Sequence, residues 1–257
     1  MSNFITPENI NNTGFVCAAF SLRNPKEKLY YREGEDYEEI VENNRRFLEQ
    51  FDLSVDRLVT INQKHTNNVH VVTPEDIGCS LKRDRLLNMD GMVTNIPNAV
   101  LVIDVADCAA IYLADPVTKS IGLCHAGRKG ALSKIALETV RKMSENFGAD
   151  PADIVAWISP CICRKCYEGG PEVEEETWEL WGEDARDILW EDIHTGRVHF
   201  DLRLANELVL REAGIRKENL QASRECTCCD TSKFYSFRGD GKIINEMGAY
   251  FAIKVEK

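Results

Sequence analysis

Residues 100–130 read VLVIDVADCAAIYLADPVTKSIGLCHAGRKG. Val100–Val105 is a continuous apolar run, the pattern of a buried strand. Ile111–Ala114 and Ser120–Cys124 read as two further short strands, with a turn at Asp115-Pro116. HAGRKG (125–130) breaks the pattern. Ala131–Phe147 then places Leu132, Ile135, Ala136, Val140 and Met143 at helical spacing, with Gly148 as the stop signal.

Working outward, LVTIN (58–62) and VHVVT (69–73) are short and β-branched, and read as strands on either side of QKHTNN (63–68). Segment 37–51 has Ile40, Val41, Phe47, Leu48 and Phe51 on one helical face. Asn44 falls on that same inward face, either as a core amide that satisfies backbone groups or as part of a site. Beyond the opening stretch, Ile154–Ile158 reads as a strand, and 172–189 and 202–213 as helices, the second stopped by Gly214. The class is α/β with short strands and irregular connections. No GxGxxG follows a strand, so a dinucleotide fold is not expected. Repeats, low-complexity tracts and long linkers are absent, and residues 1–257 are expected to form a single domain.

Composition narrows the function. The apolar fraction of 44% is enough for a sizeable interior. The net charge of −11 argues against nucleic acid or an anionic membrane as partner, since phosphate backbones demand a basic footprint. It leaves room for a small anion in a local basic pocket. No apolar run is long enough to span a bilayer, and MSNFITPENINNTG has neither the basic start nor the apolar core of a signal peptide. Ten cysteines without such a signal imply a reducing compartment, the cytoplasm.

Cys108 lies just past a buried strand, His125 at a strand end before a glycine-rich turn, and His65 in a polar loop between strands. Side chains at the ends of separate strands can converge on one pocket. One Cys and two His make a three-ligand set for a catalytic metal with an open position for water. A packed cysteine, or a metal-free Cys–His nucleophile pair, are the other readings of the same residues. In HAGRKG, Gly127 and Gly130 flank Arg128 and Lys129 directly before a helix, so the segment is either an anion site or an ordinary glycine turn with two solvated charges. Two cysteine groups remain. Cys161, Cys163 and Cys166 read as C-x-C-x2-C, and Cys226, Cys228 and Cys229 as C-x-C-C, spacings unlike the usual zinc-binding CxxC pairs. Buried free thiols are the preferred reading, a structural zinc the alternative.

Several stretches taken together resemble the laccase-domain, YfiH-like family, also called the polyphenol oxidase or peptidoglycan-editing family. They are QKHTNNV (63–69), DGMVT (90–94), ADCAAIYLADP (106–116), IGLCHAG (121–127), ISPCICRKCYEGGPEV (158–173) and CTCCDTSKFYSFRGDG (226–241). The resemblance implies a mixed α/β sandwich similar to the catalytic domain of cytotoxic necrotizing factors. It places a metal triad on His65, Cys108 and His125, with zinc as the usual occupant and copper as the other. It also implies pocket positions at Asn44, Arg45, Gln63, Asp90, Asp107 and Arg238. This chain departs from the family pattern at HAGRKG, where HAGWRG is usual: Arg128 replaces the Trp, and Lys129 lacks the planar fork of an Arg.

The activities implied by the resemblance are purine nucleoside phosphorolysis, adenosine deamination and methylthioadenosine cleavage, together with polyphenol oxidation and peptidoglycan-precursor editing. The leading expectation is a purine nucleoside phosphorylase with adenosine deaminase activity, acting on small-molecule nucleosides and phosphate. Deamination needs an activated water and an acid/base partner such as Asp107 or Asp90. Phosphorolysis needs cations, for which Arg45, Arg128, Lys129 and Arg238 are the candidates. A copper polyphenol oxidase is the second reading, although five histidines leave little for a further imidazole cluster. A cysteine amidase with Cys108 as nucleophile and His125 as base is the third, and a metal-binding regulatory module the fourth.

Overall fold

The structure is a computed structural model that describes residues 3–84, 86–242 and 245–255. Its core is two six-stranded mixed sheets laid face to face. The first runs, in spatial order, Phe4–Ile5, Val16–Ser21, Met247–Ile253, Val100–Val105, Leu58–Asn62, Leu86–Leu87. The second runs Leu220–Ala222, Val155–Ile158, Ala109–Asp115, Ser120–Ala126, Gly91–Thr94, Val69–Val71. Most neighbours are antiparallel, but Leu58–Asn62 is parallel to both Val100–Val105 and Leu86–Leu87, Val155–Ile158 to Leu220–Ala222, and Val69–Val71 to Gly91–Thr94. This is the mixed α/β sandwich that the sequence predicts.

The continuous apolar runs are explained by cover on both faces of each sheet. In Val100–Val105, Leu101, Ile103 and Val105 face the space between the sheets, packing with Tyr112, Leu123 and Phe251. Val100 and Val102 face outward onto the helix Tyr37–Glu49 through Leu48 and Phe47. In Ala109–Asp115 the parity is mirrored: Ala110 and Tyr112 point between the sheets, while Ile111 and Leu113 meet the helices Ile135–Phe147 and Leu202–Glu212 through Met143 and Val209. The layers are therefore helix, sheet, sheet, helices.

Three expected elements differ. The helix over 131–147 is two helices, Arg128–Leu132 and Ile135–Phe147, because Lys134 adopts a left-handed conformation at φ 59°. The helix over 172–189 is interrupted at Gly182, which takes φ 54°: Pro171–Trp181 is followed by a 3-10 turn, Gly182–Asp184, and a short helix, Ala185–Ile188, before Leu189–Glu191 becomes a strand paired with Val198–Phe200. The strand over 69–73 stops at Val71, since Thr73 caps the turn Pro74–Asp76. The strands Val16–Ser21, Gly91–Thr94 and Met247–Ile253 were not marked out by the sequence patterns, and the last lies near the middle of the first sheet.

Candidate metal centre and its cavity

Ala109–Asp115 and Ser120–Ala126 form a hairpin whose register pairs Ala109 with Ala126 and Ala110 with His125. That register brings Cys108 and His125 to the same open end. His65 arrives from the loop after Leu58–Asn62, at a left-handed φ of 59°. Its Nε2 lies 3.8 Å from Cys108 Sγ, and its ring meets that of His125 edge-on at 4.7 Å. One donor atom from each of His65, Cys108 and His125 lies within 4.8 Å of the others.

Asp90 holds this arrangement. It is fully buried and accepts from five donors: His125 Nδ1 at 2.8 Å, the amides of Lys64, His65 and Thr66, and the Thr66 hydroxyl. Burial works against its charge, but these bonds outweigh it and hold the carboxyl down at about 2. With Nδ1 engaged, His125 offers Nε2 to the cluster. Burial also opposes ionisation of the Cys108 thiol, yet His125 and His65 bring it down to about 6. The Cys108 sulfur and Asp90 in turn overcome burial at His125 and push its imidazole up to about 10. Cys108 is therefore a ready thiolate, the form that binds metals or attacks electrophiles.

Gly127 follows on the chain with φ −77°, so its backbone would admit any residue. Space is what demands glycine: a Cβ there would stand 2.6 Å from Cys108 Sγ and 3.1 Å from His65 Cδ2. Asp107, at φ 81°, fixes the other side of Cys108. Its carboxylate accepts from Thr227 Oγ1 at 2.6 Å, Ser236 Oγ at 2.7 Å and the Arg238 amide at 2.7 Å, and its carbonyl accepts from Ile162 N at 2.9 Å.

The triad opens onto a cavity of about 840 Å³, within the usual range of small-molecule sites. A family model described as multi-copper polyphenol oxidoreductase laccase matches residues 25–254. The chain belongs to this laccase-like family. Among its relatives, purine nucleoside phosphorylase YlmD of Bacillus subtilis is 30% identical over 218 residues, 84% of this chain and 78% of the relative. Adenosine deaminase RL5, from an unknown prokaryotic organism, is 30% identical over 207 residues, 80% of this chain and 78% of the relative. The solved structure of YlmD from Geobacillus stearothermophilus superposes with a TM-score of 0.87 at 26% identity, covering 95% of this chain and 93% of that one. The structure of the hypothetical protein YfiH from Bacillus licheniformis gives 0.89 at 27% identity, with 99% and 97% covered.

Of the positions that the laccase-like resemblance implies for the pocket, Gln63, Asp107 and Arg238 line the cavity beside His65, Cys108 and His125. Gln63 is spent on structure, its amide paired with both the N–H and C=O of Asp104. Arg238 lies over Tyr167 and donates to the Glu168 carbonyl at 3.0 Å. Asp90 sits behind the triad rather than on the wall. The remaining positions lie elsewhere. Asn44 is fully buried under the first sheet, donating to the Leu29 and Ile40 carbonyls and accepting from the Tyr250 hydroxyl at 2.6 Å. Arg45 is on the surface beside Glu42. Arg128 is turned to Glu176, and Lys129 is exposed; neither lines the cavity. Sequence reasoning missed Tyr30, Lys64, Arg83, Asp104, Tyr167, Phe237, Lys242 and Glu246 on the wall. Lys64 beside His65, Phe237 beside Arg238, and Tyr167 fall within the stretches that carry the resemblance; the others carried no local signal. Arg83 is paired with buried Asp104; burial works against its charge and Asp104 more than offsets that. Glu246 is the opposite case: burial, with Asp104 adding to it, pushes its carboxyl up to about 7.

Proposed function

We propose that this protein is a metal-dependent purine nucleoside phosphorylase that also deaminates adenosine, acting on the adenosine, inosine and methylthioadenosine class. The observation that carries this reading is one cavity holding a Cys–His–His donor cluster, cationic side chains and aromatic rings together. The YlmD and RL5 relatives supply the substrate class.

The residues fit a catalytic zinc or copper ion. Two imidazoles and a thiolate form a three-ligand set, Asp90 fixes the His125 ring behind it, and Gly127 keeps clear the space a Cβ would fill. A metal held by His65, Cys108 and His125 supplies Lewis-acid activation of water near neutral pH. Tyr30, Tyr167 and Phe237 offer ring faces to a purine, and Lys64, Arg238 and Lys242 offer charge to phosphate. In phosphorolysis, a phosphate oxygen bonds to the ribose anomeric carbon as the bond to the base breaks. The departing base takes the electron pair and needs a proton, and Glu246, protonated up to about pH 7, can donate it. Asp107, with its carboxylate engaged by three donors, positions Cys108 and the Arg238 loop.

The test is chromatography of adenosine and inosine incubated with the zinc-loaded protein, with and without phosphate. Free base formed only with phosphate, and lost in Cys108→Ala, supports phosphorolysis; inosine from adenosine without phosphate supports deamination. Intact nucleosides throughout would sink the reading. Polyphenol oxidation is the second reading, favoured by the laccase description of the family model. Against a multicopper relay, no other candidate ligand group among the described residues contains a histidine. A thiol amidase is favoured by the low thiol of Cys108 beside His125, and would survive a chelator that abolishes the metal-dependent activities.

A further inference from the structure

The strands Val155–Ile158 and Leu220–Ala222 run parallel as neighbours, so the loops that follow them leave the second sheet side by side. The pairing continues beyond the sheet as a bridge between Cys161 and Cys226. Each loop carries a CxxC pair that an additional cysteine disguises: Cys163-Arg164-Lys165-Cys166 in one, Cys226-Thr227-Cys228-Cys229 in the other. The structure brings the four outer sulfurs together, all within 4.8 Å of one another. Cys163 Sγ and Cys229 Sγ are 3.9 Å apart, and Cys166 Sγ and Cys229 Sγ 3.4 Å. Four thiolates about 2.3 Å from one tetrahedral ion stand about 3.8 Å from each other. A disulfide would demand about 2.05 Å, and all four are free thiols. The backbone is arranged for thiolates as well. The amides of Cys163 and Cys229 both point at Cys226 Sγ, at 3.2 and 3.4 Å. A turn closed by Cys166 N and Tyr167 N on the Cys163 carbonyl, both at 3.0 Å, sets the first pair.

We propose that Cys163, Cys166, Cys226 and Cys229 bind a second metal ion, a structural mononuclear zinc separate from the His65–Cys108–His125 centre. Four protein ligands leave no open position, so this site holds structure and does no chemistry of its own. Soft thiolates select zinc over harder divalent ions. What it holds is the cavity wall. Tyr167 follows Cys166 directly, Thr227 beside Cys226 donates to Asp107, and Phe237 and Arg238 lie further along the second loop. The ion fastens these two loops at the base of the cavity rim.

The test isolates the site by removing the other. Protein carrying His65→Ala and Cys108→Ala, expressed with zinc, is expected to retain one zinc per chain by elemental analysis, against two for the parent. Exchange of that zinc for cobalt should give the thiolate-to-cobalt charge-transfer band and intense visible bands of a tetrahedral tetrathiolate. Adding Cys163→Ser and Cys229→Ser should abolish both. Should that variant fail to fold, alkylation of the parent protein followed by peptide mapping decides. Zinc is expected to protect Cys163, Cys166, Cys226 and Cys229, and a strong chelator to expose them, while Cys228 reacts equally in both. Equal alkylation of the four with and without zinc, iron in place of zinc, or a disulfide among them in freshly purified reduced-cell material would overturn the proposal.

Discussion

Replacing Asp90 by Asn keeps the side-chain shape but substitutes an N–H donor for one of two oxygens that accept five bonds. His125 then loses the partner that fixes its tautomer. Partners of this kind are worth about 10–100-fold in metal affinity. Asp90→Asn is therefore expected to weaken zinc binding at the triad by that order, measured by competition with a chromophoric chelator; an unchanged affinity would remove Asp90 from this role. Gly127→Ala makes a complementary test. Its Cβ would press on Cys108 Sγ and the His65 ring, so the triad should lose zinc and activity. Crowding of this kind is worth about 1–3 kcal/mol, so the variant should still fold by circular dichroism. If it binds zinc as the parent does, the close approach is incidental.

At the scale of elements, the misread helix over 131–147 has a local cause. The apolar spacing runs through Leu132 and Ile135 without interruption, and only the left-handed Lys134 between them breaks the helix. A left-handed conformation disfavours a side chain by about 1–2 kcal/mol. Lys134→Gly is expected to raise stability by roughly 1 kcal/mol in urea denaturation, since the exposed pair with Glu212 that it deletes contributes little. A loss instead would mean that the pair or the Lys134 stem matters more than the backbone. The strands around Cys108 and His125 were legible because both faces of each sheet are covered, which writes an unbroken apolar run into the chain. The cavity wall was not legible, because Tyr30, Tyr167, Phe237 and Lys242 come from loops whose spacing obeys no period. The four-cysteine group was obscured differently. Cys161 precedes one pair and Cys228 sits within the other, and only the parallel pairing of two strands tells which cysteines meet. Asn44 was placed correctly on the inward face, and the Tyr250 hydroxyl across the sheet accounts for it.

For the whole molecule, the acidic balance of −11 includes carboxyls that burial makes resist their charge, Glu246 among them. Glu246 is raised from its ordinary 4.5 to about 7. Between those values the unfolded chain gives up the proton while the folded chain keeps it, so stability falls as pH rises and the full penalty stands above about pH 7. Glu246→Gln is thus expected to leave the melting temperature near that of the parent at pH 4.5 and to raise it at pH 8. A shift of equal size at both values would show that ionisation is not the cause. The same substitution should slow phosphorolysis, because the amide has no proton to give the departing base.

The strand Met247–Ile253 pairs with Val16–Ser21 on one side and Val100–Val105 on the other. Neither of those two strands touches the other, so the first sheet has a missing plank until residues 247–253 have left the ribosome. At about 5–20 residues per second, the wait after Val105 emerges is on the order of ten seconds. Throughout it, two nascent strand edges and the apolar surface that Phe251 will cover stand open. Closure of the first sheet must therefore wait for Met247–Ile253, and chaperone capture during synthesis should concentrate on these two waiting edges.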